Sequence, residues 1–183
     1  RISVSRLRQS YRWLLWNAFS RPFVAFILSR MYRFTHTTDS DAIPRPPFIL
    51  IANHGTFFDP WIACYRSRWP IALMCNDDAF RGSPITRWYL TGIGAFPKKK
   101  GAADFKAMKT TIHLLKARIP VCIFPEGQTS WDGATQLIYR GIERIVKKAG
   151  CPLVAVHLKG NFLTKPWWAQ TIRKGRILVT TRV

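Results

Sequence analysis

The segment Asn53-His54-Gly55-Thr56-Phe57-Phe58-Asp59-Pro60 sets an imidazole and a carboxylate five positions apart, directly after the apolar run Pro47-Phe48-Ile49-Leu50-Ile51-Ala52. Such a run reads as a buried strand, and open α/β sheets carry their chemistry just past the carboxyl ends of their strands. If the chain turns back on itself, which Gly55 permits, the carboxylate of Asp59 fixes the tautomer of His54 and makes the ring a better proton acceptor. The same residues have a plainer reading. Asp59 ahead of Pro60 is a common helix start, with the side chain capping backbone N–H groups and proline in the first turn. His54 is then an ordinary loop residue.

A second polar turn, Pro125-Glu126-Gly127-Gln128-Thr129-Ser130, follows the apolar run Val121 to Phe124. In a largely parallel sheet this turn emerges on the same side as His54. Glu126 is then placed to orient a polar substrate group, and Gly127 lets backbone come close to a ligand.

Together, H-x-x-x-x-D and F-P-E-G in this order, about seventy residues apart, are far more specific than either alone. Over roughly Phe48 to Leu158 the chain resembles the glycerolipid acyltransferases, the lysophosphatidic acid acyltransferases and their relatives, whose first motif is N-H-x-S/T-x-x-D and whose third is F-P-E-G-T-R-S. Two weaker blocks find counterparts: Gly92 followed by Lys98, where the family has glycine and then arginine, and the apolar stretch Pro152-Leu153-Val154-Ala155-Val156. The resemblance implies that His54 takes the proton of an acceptor hydroxyl, which then attacks an acyl thioester, while Asp59 holds the imidazole. It also implies substrate contacts at Lys98, Glu126, Gly127, Gln128 and Thr129. The implied partners are acyl-coenzyme A or acyl carrier protein, a lyso-lipid acceptor and an anionic membrane surface.

Two departures bear on the acceptor. Gln128 and Thr129 stand where the third motif offers arginine, and Lys98 stands for the arginine of the second. Arginine grips phosphate through two parallel bonds, whereas lysine is a point charge and threonine is neutral. Lysophosphatidic acid, another lysophospholipid and an amino-acid-based lyso-lipid all stay open as acceptors. Lys98, Lys99 and Lys100 form a basic run that reads equally as a diffuse anion site or a solvated loop.

From Ile43 onward short apolar runs alternate with helical stretches, which predicts an α/β fold: a mixed, largely parallel sheet covered by helices. Expected strands are Phe48–Ala52, Ile71–Cys75, Ala95–Pro97, Val121–Phe124, Leu153–Leu158 and Arg176–Thr181. Expected helices are Asp59–Ser67, Pro84–Thr91, Ala102–Ala117 and Thr135–Lys148. In the third helix Phe105, Met108, Ile112 and Leu115 form one apolar stripe that reads as core, with His113 facing solvent.

Residues 1–34 read as an amphipathic element of two short helices hinged at Pro22. Arg12, Arg21 and Arg30 interrupt it, and no run reaches the roughly 20 apolar residues a spanning helix requires. Tryptophans and arginines mixed in this way suit the headgroup level of a membrane, though such helices can also simply pack on the domain. Residues 35–47 read as a proline-rich linker, and 48–183 as the acyltransferase domain. The start at Arg1 and the stop inside a strand-like run suggest a fragment.

The 29 Lys and Arg against 9 Asp and Glu give a net charge of +20 in 183 residues, which calls for an anionic partner. Eight tryptophans and twelve phenylalanines favour a membrane surface among the candidates. A membrane-associated protein, peripheral or monotopic, at the cytoplasmic face of the inner membrane is expected. Nucleic acid is the less favoured partner, since no RRM, KH, zinc-finger or helix-turn-helix signature is present. A catalytically silent lipid-binding relative is the other alternative. Cys64, Cys75, Cys122 and Cys151 lack C-x-x-C spacing, so neither zinc nor a disulfide framework is expected. No bound cofactor is expected. His157 reads as a hydrogen-bonded strand residue. The late basic and aromatic cluster of Lys159, Lys165, Trp167, Trp168, Arg173, Lys174 and Arg176 reads as an ordinary basic loop with its tryptophans packed on the sheet, or as a contact for lipid headgroups or an acidic acyl carrier protein.

Overall fold

The computed structural model describes residues 6–38, 43–99, 104–138, 141–165 and 168–183. Among them seven strands form one sheet in the order β1-β7-β6-β2-β5-β3-β4. The strands are β1 (Tyr32–Thr38), β2 (Ile49–Ala52), β3 (Ala72–Asn76), β4 (Phe96–Lys98), β5 (Val121–Ile123), β6 (Leu153–Lys159) and β7 (Gly175–Arg182). Every neighbouring pair is parallel except β6 and β7. The mixed, largely parallel sheet read from the sequence is the one the chain forms.

The central strands are apolar on both faces, as strands covered on two sides must be. Leu50, Ala52, Val154, Val156, Ile177 and Val179 point into one core, shared with Trp16, Val24, Leu28 and Ile62. Ile49, Val121 and Ile123 point into the other, under helices α5 (Phe105–Lys116) and α6 (Gly141–Ala149). The loops at the carboxyl ends of β2, β5 and β6 thus gather at one edge of the sheet.

Helix α1 (Arg6–Leu15) runs on through wider turns at Trp16–Ser20 and Phe23–Leu28 into α2 (Ser29–Met31). The expected hinge at Pro22 is a correction: Arg21 and Pro22 both keep helical backbone angles. Proline within a helix clashes with the carbonyl four residues back, and the wider turns on either side accommodate the ring without a break. Trp16 is held by donating to Ser67 O at 2.9 Å.

Strand β1 is the second correction. Residues 35–38, expected to begin a linker, pair in register with β7 from Tyr32↔Gly175 to Thr38↔Thr181. Its sequence Y-R-F-T-H-T-T alternates buried or half-buried and exposed residues, a period of two that the flanking prolines obscured. Residues 39–42 of the expected linker lie outside the described residues.

Helices α3 (Asp59–Cys64) and α4 (Pro84–Ile93) begin where expected. In α5 the buried face is Ala107, Thr111, Leu114 and Leu115; of the expected stripe, Leu115 is core and Met108 and Ile112 pack half-buried against it, while Phe105 is exposed. His113 faces solvent as expected. The helix expected from Thr135 is not formed at 134–138, and among the described residues it runs from Gly141. Residues 134–138 are irregular and are tied back to the site by the Gln136 N–H, which donates to Glu126 at 3.1 Å.

Candidate active site

Strand β2 ends at Ala52, and the Asn53 side chain immediately ties the chain to β6. Its amide donates to Leu158 O at 2.9 Å, and its oxygen accepts from the Leu158 N–H at 2.7 Å. The loop that follows is thereby anchored to the neighbouring strand on the side where His54 emerges.

The chain then folds back as the sequence suggested. His54 Nδ1 lies 3.2 Å from Asp59 Oδ2. Asp59 is fully buried, yet it does not cap α3. It points backwards, and Oδ2 accepts from the Gly55 N–H at 2.6 Å and the Thr56 N–H at 2.7 Å. Oδ1 accepts from the Thr56 hydroxyl at 2.8 Å and from Asn161 Nδ2 at 2.9 Å. A buried carboxylate with five donors around it is satisfied and fixed in place.

A carboxylate only accepts, which puts the ring proton on Nδ1 and leaves Nε2 as the basic lone pair. That nitrogen faces Thr129, whose hydroxyl lies 3.4 Å away. The ring rests against Phe124, with centroids 4.3 Å apart, and its side chain keeps 18% exposure. The arrangement can accept a proton at Nε2 and stabilise the imidazolium from behind.

Glu126 is buried at the same edge. Its Oε1 accepts from the His54 N–H at 3.1 Å and its Oε2 from the Gln136 N–H at 3.1 Å. Through these bonds it clasps the His54 loop to residues 134–138, and it lines the two cavities beside that loop. The Ser130 N–H donates to His54 O at 2.6 Å, so the two motifs are stitched together through both the N–H and the carbonyl of His54. Gly127 takes φ 70° to close the turn, a left-handed conformation that glycine adopts without steric cost.

Lys98, at the end of β4, donates from Nζ to Gly127 O at 3.4 Å. Burial draws its ammonium below the ordinary lysine value, while Asp104 pulls the other way. Gln128 is exposed in the turn, and none of the bonds joining His54, Asp59 and Glu126 uses it. Lys100 and Trp167 lie outside the described residues. The structure therefore gathers His54, Asp59, Glu126 and Thr129, with Lys98 joined through the Gly127 carbonyl.

Two participants went unread. Thr56 sits inside the first motif and supplies both an N–H and a hydroxyl to Asp59. Asn161 comes from 102 residues downstream, and its one sequence signal was its place just past the end of β6. It also explains Gly55 better than turn geometry does, because a Cβ there would come 2.8 Å from Asn161 Nδ2. Gly55 has no positive φ, so close approach is what requires glycine.

A family model described as acyltransferase matches residues 34–159. The chain belongs to the acyltransferase family. A 1-acyl-sn-glycerol-3-phosphate acyltransferase of Chlamydomonas reinhardtii is 27% identical over 139 residues, 74% of this chain. The chain spans 41% of the length of that relative. Among solved structures, the 1-acyl-sn-glycerophosphate (LPA) acyltransferase PlsC from Thermotoga maritima superposes with a TM-score of 0.69. It is 17% identical, and the match covers 96% of this chain and 85% of that one. At that identity the likeness carries the fold. The family match runs from β1 to the end of β6 and so contains both motifs.

Proposed function

We propose that the chain transfers a fatty acyl group from the thioester of acyl-coenzyme A or acyl carrier protein to the hydroxyl of a lysophospholipid. The observation that carries this reading is the contact between His54 and Asp59, a ring oriented by a buried, fully bonded carboxylate with its second nitrogen facing Thr129. In this scheme Nε2 takes the acceptor proton as its oxygen attacks the thioester carbonyl. The carbon–sulfur bond then breaks, and the imidazolium returns the proton to the departing thiolate. Asp59 keeps Nδ1 protonated throughout and stabilises the positive ring.

The relative from Chlamydomonas, named for 1-acyl-sn-glycerol-3-phosphate, supports lysophosphatidic acid as the first acceptor to test. Lys98 bonds to Gly127 in the FPEG turn and takes the phosphate contact in this reading. Thr129 supplies a hydroxyl at Nε2 in place of an arginine.

Peripheral attachment to a membrane fits the N-terminal helices, where Trp13, Leu14, Phe19, Phe26 and Ile27 are all exposed. Among the described residues no helix is long and apolar enough to cross a membrane. A cavity of about 470 Å³ lined by Phe19, Phe23, Phe26, Ile27, Trp61 and Tyr89 is a place for the acyl chain. Trp61 sits one turn into α3, just after Asp59, and packs on Phe23 and Phe58.

The test is acyl transfer by purified protein from both donor types to a panel of lyso-lipids, with His54→Ala alongside. Loss of the general base should lower the rate by about a hundredfold or more. A smaller loss, or transfer to none of the acceptors, would defeat the proposal.

A further inference from the structure

Helices α5 and α6 cover only part of their face of the sheet. On that face, β6, β7 and β1 leave His157, Lys159, Arg176, Arg182, Arg33, Thr35 and Thr37 exposed. The three strands carry no acidic residue. Arg33 and Arg176 are direct register partners, on strands about 4.8 Å apart. Like charges set opposite one another destabilise a sheet, and among the described residues neither arginine, nor Lys159, has an ion pair. A broad cationic platform of this kind is complementary to an acidic surface.

Its position narrows the partner. The residues alternating with these, Val154, Val156, Ile177 and Val179, point the other way, into the core shared with Val24 and Leu28. The platform therefore lies across the sheet from the apolar N-terminal helices, on the side facing away from a bilayer that those helices would enter. A lipid surface is disfavoured by that placement.

The platform also reaches the catalytic edge. Lys159 pairs with Leu178, so Arg176 and its neighbour Arg33 lie at the end of the sheet where His54 emerges. Strand β7 is two strands from β2 and β1 is three, lateral offsets of about 10 and 14 Å. A cavity of about 450 Å³, lined among others by Ile51, Asn53, Glu126, His157 and Arg182, joins this face to the loop that holds His54.

We propose that the β6-β7-β1 face is the docking platform for a small acidic carrier protein that delivers the acyl group as a thioester on an extended arm. The inference rests on the acyl-transfer reading above and names its donor. A nucleotide would engage one or two of these cations. A folded acidic protein spans all three strands.

The experiment compares wild type with Arg33→Glu/Arg176→Glu and with the milder Arg33→Gln/Arg176→Gln. Binding of palmitoyl-acyl carrier protein, transfer from it, transfer from palmitoyl-coenzyme A, and sedimentation with anionic vesicles are measured for each. The glutamate pair should weaken carrier binding and transfer by about tenfold or more and flatten their salt dependence, with the glutamine pair in between. Transfer from palmitoyl-coenzyme A and vesicle sedimentation should stay within twofold. No binding of the carrier to wild type, an equal fall with both donors, or loss of vesicle sedimentation would each overturn the proposal. Charge-dependent carrier binding without transfer from either donor would instead sink the acyl-transfer reading and leave the docking face standing.

Discussion

Replacing Asp59 by asparagine separates a catalytic carboxylate from a merely structural one. The substitution keeps the shape and exchanges one oxygen for an amide. The remaining oxygen can stay with the Gly55 and Thr56 N–H groups and with His54. The new NH2 then faces Thr56 Oγ1, which can accept, and Asn161, whose amide can rotate to present its oxygen. The Thr56 hydroxyl and the Asn161 amide, both buried, lose Oδ1 as their acceptor, and with the charge-assisted part of the other bonds also gone the fold loses about 1–3 kcal/mol.

The catalytic effect should be larger. Across 3.2 Å at an effective dielectric of about 20, an imidazolium and a carboxylate attract by about 5 kcal/mol. A neutral hydrogen bond to the asparagine recovers about 1 kcal/mol. The remainder, about 3–4 kcal/mol, corresponds to a fall of about 10² to 10³-fold in kcat. The assay is steady-state acyl transfer together with thermal unfolding of the same preparation. A variant that melts within the range above yet retains more than a tenth of wild-type kcat would refute the reasoning, leaving Asp59 as a loop clasp. Asp59→Ala cannot decide the matter, because it strands five donors and its inactivity would follow from misfolding alone.

Three further outcomes follow from the same geometry. Gly55→Ala puts a Cβ 2.8 Å from Asn161 Nδ2 and should push that amide off Asp59, lowering Tm by about 3–12 °C for a lost bond worth about 1.5–3 kcal/mol. Asn161→Leu should cost a similar amount, and the double variant should be clearly less than additive; full additivity would mean the two do not meet at Asp59. His36, whose Nε2 is bonded to the Tyr65 hydroxyl, has its pKa lowered from 6.5 by burial and secondarily by Arg66. The unfolded chain then takes up the proton first, so the contribution is complete above about pH 6.5 and is lost as pH falls below it; urea midpoints of His36→Gln should fall less steeply with acid than those of wild type, and parallel curves would contradict this. Cys75, with its thiol pushed up to about 12 by burial and by Cys122, should resist alkylation at neutral pH unless the protein is unfolded, as thiolate is the reactive form; fast labelling of the native protein would count against it.

Much of the fold was legible because its central strands are apolar runs bounded by turn residues. All six expected strands form, with ends shifted by one residue or so. Strand β1 was hidden because Y-R-F-T-H-T-T is an edge strand with one exposed face, too polar to stand out beside a proline-rich stretch. The irregular stretch before α6 was hidden for a different reason. Residues 135–138 carry no helix breaker, and their tie to the buried Glu126 carboxylate, ten residues earlier, is a backbone N–H bond that no local pattern announces.

The site divides in the same way. His54 and Asp59 were legible because both ends of their contact lie within one short motif. Glu126 was legible as a site residue but its engagement was not, since both of its partners are backbone N–H groups that no side-chain pattern announces. Asn161 offered only its place just past β6 as a signal; its contact with Asp59 exists because β6 runs parallel to β2 and ends at the same edge.

That shared edge also gives the charge of the chain a place. The sheet separates an apolar side, built on Trp16, Val24 and Leu28, from a cationic one, built on Arg33, Lys159 and Arg176. His54 stands where the two sides meet, beyond the carboxyl end of β2. In the proposed reaction an acyl group carried by a soluble thioester and an acceptor held in a membrane approach from different phases, and a proton acceptor on the rim between an apolar and a charged face is reachable from both. A chain whose net charge of +20 merely kept it soluble would have no reason to set two arginines side by side in a sheet beside that rim.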